Sequence, residues 1–153
     1  MEAVALTKEQ IHNVCLEEVN TRIQRLKEAI KEAQEAANNE DKSSAGDKYE
    51  TGRAMAHIER EKYTGQLNAV QDMRSVLDSI NAKKMREEAV LGSVIRTNLG
   101  IFYIAVSLGQ IKVGGESVFV VSPVSPIGQA MASKKVGDQM ELNGRNYRIE
   151  RIS

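Results

Sequence analysis

Glu40, Asp41, Asp47 and Glu50 crowd into the stretch NNEDKSSAGDKYE, residues 38–50. Carboxylates at that density are hard oxygen ligands, and Mg²⁺ takes one or two of them while keeping several waters. An exposed segment of this kind does not hold Mg²⁺ tightly alone. It can complete a site that another protein half-builds, or it can serve only solubility. A second constellation is Cys15 with His12, three residues apart and so neighbours on a helix surface. A nucleophilic thiolate also needs a lowered pKa and a pocket. A helical shaft offers neither, and no glycine-flanked nucleophile turn surrounds Cys15. It reads as a half-buried seam residue. His57 is the other imidazole. No Cys/His group has zinc-ligand spacing. The glycines of LGQIKVGGES (108–117) fit neither phosphate-binding fingerprint and read as turn residues. Lys134 and Lys135 make a short basic spot suited to a solvated turn. No basic stripe interleaved with aromatics appears, which argues against independent nucleic-acid binding.

The elements that must position these residues come in two kinds. Up to about residue 88 the chain is rich in Ala, Glu, Lys, Gln, Arg and Leu and has no proline. Thr7 with Gln10 fits a capping box. Leu16, Val19, Ile23, Leu26, Ile30, Ala33 and Ala37 then recur at alternating steps of three and four, an a/d seam that tapers to alanine. A second helix is predicted from about Asp47 to Met85, with Tyr63, Leu67, Val70, Met73, Leu77 and Ile80 as its seam. Met55 and Ile58 do not keep that frame through Lys62, which predicts a stutter. Gly52 and Gly65 weaken the helix locally. Two narrow stripes joined by a polar segment predict an antiparallel helical hairpin, with arms on the order of 45–55 Å.

From Ala89 the period changes. AVLGSVIRT, LGIFYIAVS and ESVFVVS read as strands. Asn98–Gly100 is a hairpin corner, and Asn143-Gly144 joins two further strands. Residues 126–133 read as one short helix, N-capped by Ser125 with Pro126 in its first turn. The fold class is therefore α+β: a hairpin over 1–88 with its tip at about 38–50, then a small, mostly antiparallel sheet domain over 89–153.

The bulk properties fit. Net charge is zero over 153 residues, which removes whole-chain attraction to nucleic acid or membranes. Residues 1–88 carry 17 acids and 14 bases, and 89–153 carry 4 and 7, a shift that marks a boundary near residue 88. The single cysteine fits a reducing compartment. MEAVALTKEQ has no basic n-region or long apolar h-region and does not read as a signal peptide, and no apolar run approaches the ~20 residues of a membrane span. The expectation is a cytoplasmic protein with no membrane partner.

SPVSPIGQAMASKKVGDQMEL followed by YRIERI resembles the C-terminal domain of the Gre transcript-cleavage factors of bacterial RNA polymerase. Ser125, Pro126, Ile127, Ala130, Lys134, Val136, Gly137 and Asp138 fall in that family's motif, and LGSVI (91–95) resembles its first strand. The order of parts, coiled-coil hairpin then FKBP-like sheet domain, extends the resemblance over essentially the whole chain. The resemblance implies RNA polymerase as partner, docked through Ser125, Pro126, Ile127, Gly128, Lys134, Gly137 and Asp138 at the rim of the secondary channel. It implies tip acids that share a Mg²⁺ with the polymerase active site, and RNA met only as a 3′ end within that complex. It implies no catalysis by the chain itself, at most help to the polymerase's own Mg²⁺-dependent cleavage. The tip departs from the family pattern. Asp41 matches the first acid, but the second acid's place falls on Ser44 or Ala45, and one residue is added. Asp47 keeps the later acid and, like Glu40, can stand in as its partner. Stimulation and blocking of cleavage both stay open. Two other readings are an FKBP-like prolyl isomerase, whose pocket would have to draw on Phe102, Tyr103, Phe119 and Tyr147, and a coiled-coil adaptor without a polymerase link.

Overall fold

In a computed structural model, residues 6–42 and 46–153 of the chain are described, with the side chains of residues 40–50 outside the description. Two compact units result: Glu18–Arg74, and Met1–Glu17 together with Ser75–Ser153. Helix α1 (Lys8–Lys42) enters where the capping box predicts. Thr7 Oγ1 accepts from the Gln10 amide at 3.2 Å, and Gln10 Oε1 accepts from the Thr7 amide at 2.9 Å. Two N–H groups of the first turn are thus satisfied reciprocally.

The unit Glu18–Arg74 holds most of α1 and of α2 (Gly46–Ser79). Arg60 Nη1 donates to Gln34 Oε1 at 2.6 Å, and Arg74 Nη1 donates to Asn20 Oδ1. The partners advance along one helix as they recede along the other, so the helices run antiparallel. Val19, Ala33 and Ala37 on α1, and Ala56 and Val70 on α2, are buried. The expected stutter is absent. Ala56, Arg60, Tyr63, Leu67 and Val70 keep one heptad frame, all buried or half-buried. Arg60 stands in this seam as a polar member held by Gln34, which disguises the repeat in the sequence. Met55 and Ile58 lie outside the seam, 62% and 65% exposed.

A second correction concerns the end of α2, which stops at Ser79 rather than near Met85. Ile80 N already bonds Leu77 O, a tightened i→i+3 closure. Asn81 Oδ1 then accepts from Lys83 N at 3.0 Å, an Asx turn that competes with helix continuation. The Lys84 carbonyl is taken by Lys8 Nζ at 2.6 Å.

The other unit is built on a six-stranded sheet in the order β3-β4-β2-β1-β6-β5. Its strands are β1 (Val94–Thr97), β2 (Gly100–Ile104), β3 (Gly109–Val113), β4 (Glu116–Val121), β5 (Gln139–Leu142) and β6 (Arg145–Ile152). Every pairing is antiparallel except β2 with β4. Two-residue turns close three of the hairpins, at Asn98-Leu99, Gly114-Gly115 and Asn143-Gly144. The last two pairs have positive φ at both positions, the geometry that matches the strand twist. A short helix, α3 (Pro126–Met131), lies between β4 and β5.

Alternation along the strands gives the sheet two apolar faces. Ile95, Phe102, Ile104, Tyr147 and Ile149 form one core with Met131 of α3 and Met140. Phe102 stacks on Phe119 at 5.4 Å between ring centroids and meets Tyr147 edge-on at 5.9 Å. On the other face Val94, Tyr103 and Val120 are register neighbours, each at most 2% exposed. Burial of each such aliphatic side chain contributes about 1.5–3 kcal/mol.

Candidate functional site

Asp41 lies in the last turn of α1 and Asp47 in the first turn of α2. The side chains of Glu40, Asp41, Asp47 and Glu50 at the tip fall outside the described residues. Among the described residues no group of three or more His, Cys, Asp or Glu side chains is placed to hold a metal ion.

Cys15 is wholly buried rather than half-buried, and burial pushes its thiol up to about 12. A thiol so held is not a nucleophile at neutral pH. His12 does not serve it as a base. Its Nδ1 shares a 2.7 Å hydrogen bond with Tyr103 Oη, ring against ring at 82°. Burial is the main force lowering the His12 pKa, with Lys8 adding to it and Asp78 opposing. The pair is a buried polar contact joining α1 to β2. His57 takes no part in it.

The segment 122–138, which carries the motif residues, folds as one closed unit. Ser125 Oγ donates to Ser122 O at 2.6 Å and accepts from Gly128 N at 3.1 Å, so it caps α3 as expected. Pro126 occupies the first turn, where its missing N–H costs nothing. Gly128 is buried against the preceding turn. A Cβ there would stand 2.2 Å from Ser122 O and 3.0 Å from Pro123 O. Ile127 packs against the Met131 core. After α3, Lys134 O accepts from Ala89 N at 2.9 Å. Asp138 Oδ2 accepts from Lys135 N at 2.8 Å, and Asp138 N donates to Lys135 O at 3.0 Å. Gly137, at φ 93°, donates its N–H to Ile149 O at 2.8 Å.

Ser125, Gly128, Gly137 and Asp138 therefore each shape the local backbone, with Gly137 and Asp138 themselves exposed, and Ile127 serves the core. What the unit offers outward is different. Val124 is 76% exposed and Val136 57%, with Pro126 and Lys135 also exposed. Neither valine belongs to the expected contact set. An apolar residue immediately before the Ser-Pro pair, and another immediately before Gly-Asp, is the signal that points to them.

Among the described residues no helix is long and apolar enough to cross a membrane. No protein-family profile matches the chain, and no curated protein matches it. Among solved structures the chain is similar to one described as "Structure of the transcription factor Gfh1", at 20% sequence identity over 99% of this chain and 97% of that one, with a TM-score of 0.34.

Proposed function

We propose that this protein is a Gre-like elongation factor that binds RNA polymerase at its secondary channel and modulates transcript cleavage in backtracked complexes. The observation that carries the reading is the placement of Asp41 and Asp47 at adjoining ends of two antiparallel helices of 35 and 34 residues. A slender support ending in carboxylates suits delivery of charge into a confined site. The closed turn–helix–loop unit of residues 122–138 adds a rigid surface for docking, with Val124, Pro126, Lys135 and Val136 outward. The aromatic side chains that an isomerase pocket would need are committed elsewhere, Phe102, Tyr103 and Tyr147 being buried.

On this reading the chain performs no chemistry of its own. Asp41, with Asp47 or Glu40, donates carboxylate oxygens to a Mg²⁺ that the polymerase already part-holds. A second metal stabilises the attacking and leaving oxygens of an in-line phosphoryl displacement. If the tip reaches the channel without completing the metal shell, the same insertion blocks cleavage. The experiment is to add the protein to stalled, backtracked polymerase with Mg²⁺ and follow RNA length. Faster shortening that disappears with Asp41→Ala identifies the metal role, and slowed shortening identifies blocking. Absence of both binding and any change in RNA products defeats the proposal.

A further inference from the structure

The unit containing the sheet also holds a cleft of about 410 Å³, lined by the start of α1, residues 82–85, and β1 with β6. Its charge is one-sided: Lys8, Lys83, Arg96 and Arg151 against Glu9 and the main-chain carboxylate of Ser153. Two features make this arrangement costly. Arg96 and Arg151 are direct cross-strand partners in the β1–β6 ladder, and like charges so opposed are destabilising. Lys8 is only 6% exposed, and its ammonium is held by main-chain oxygens, of Lys84 at 2.6 Å and Ser153 at 3.4 Å. Arg96 likewise spends one nitrogen on the Leu6 carbonyl at 3.1 Å. Among the described residues no Asp or Glu side chain is paired with any of the four cations. Burial first, and the Arg86 guanidinium second, hold the Lys8 pKa down to about 8. Burial is the main cause, as for any ammonium taken out of water.

Cations in excess around a cleft are relieved by a further anion. We propose that this cleft binds a phosphate-bearing small molecule carrying two or more linked phosphates, with Arg96 and Arg151 on adjacent phosphate oxygens and Lys83 and Lys8 completing the neutralisation. Paired guanidinium forks suit phosphate oxygens better than point charges do. The cleft falls within the ordinary range for small-molecule sites and exceeds what one phosphate fills. This proposal does not depend on the polymerase reading.

The test is calorimetric titration of the full chain at low ionic strength with inorganic pyrophosphate and, separately, with ATP, beside thermal melts. Saturable binding of pyrophosphate is expected. Equal affinity for ATP shows that the phosphates alone are read, and tighter ATP binding shows that the nucleoside adds contacts; either supports the site. Arg151→Gln should weaken binding about tenfold or more, as expected for loss of a charge-assisted contact. Without ligand the same variant should melt no lower than the parent, because it removes one of two opposed charges. Arg145→Gln, also on β6 but outside the cleft, should bind like the parent. Arg96→Gln and Lys83→Gln provide two further lesions in case one variant folds poorly. Binding of neither anion, or binding that Arg151→Gln, Arg96→Gln and Lys83→Gln all leave unchanged, overturns the proposal.

Discussion

Removing one oxygen tests the account of how α1 is fastened to the sheet. Tyr103 is wholly buried and His12 is 7% exposed, and among the described residues their 2.7 Å hydrogen bond is the one Tyr103 Oη makes to a side chain. Tyr103→Phe keeps the ring, so the apolar packing with Val94 and Val120 is preserved. What it removes is the partner of His12 Nδ1. A buried polar atom left unsatisfied costs about 1–3 kcal/mol, more than the net worth of an ordinary hydrogen bond. For a unit of roughly 100 residues this lowers the melting temperature by about 4–8 °C per kcal/mol. Urea unfolding of the parent, Tyr103→Phe, His12→Phe and the double variant closes a thermodynamic cycle. The double variant should be less destabilised than the sum of the singles, since it leaves no polar atom stranded. A loss under about 0.5 kcal/mol in Tyr103→Phe, or strict additivity in the cycle, refutes the reasoning.

Three further outcomes are expected. Gly128→Ala forces a methyl to within 2.2 Å of the Ser122 carbonyl; the turn must open, and a stability loss of about 1–3 kcal/mol by denaturant titration should follow. His12 has a folded-state pKa below its ordinary value of 6.5, so the unfolded chain binds its proton first as pH falls. Stability should therefore decline as pH drops below that value toward the lowered one, and His12→Gln should flatten that limb of the pH–stability curve. Val124→Asp with Val136→Asp changes only exposed side chains and should move the stability by no more than about 0.5 kcal/mol per site, yet it should abolish co-purification with RNA polymerase. Retained co-purification would count against the docking surface.

Local chemistry was readable from the chain wherever one residue type decides a short-range geometry. Thr7 with Gln10, Asn143-Gly144 and Ser125-Pro126 each specify a cap or turn through their own hydrogen bonds or φ preferences. Long-range pairing was not readable. Lys83, Lys84, Met85, Arg86 and Glu87 are good helix formers, and the local signal for α2 to stop before them is Asn81 alone. Asn81 and a lysine far off in sequence, Lys8, supply the competing bonds. The parallel β2–β4 pair is hidden in the same way, because register between strands joined through a third leaves no periodic mark. The opposition of Arg96 and Arg151 follows from β1–β6 register and is equally silent in sequence.

The motif residues of 125–138 carry a different lesson. Their types are those that backbone geometry demands: a cap, a proline at the first turn, a glycine where no Cβ fits, a glycine at positive φ, and an aspartate closing a loop. Such residues can stay the same between two proteins whose partners differ, because their work is internal. On the proposed polymerase reading, contact with the partner is expected at the exposed positions Val124, Lys135 and Val136. The motif thus argues for a common scaffold and the exposed positions for a particular partner. Substitutions at the two sets should separate folding from binding: loss of stability at Gly128, and loss of polymerase with stability intact at Val124 and Val136.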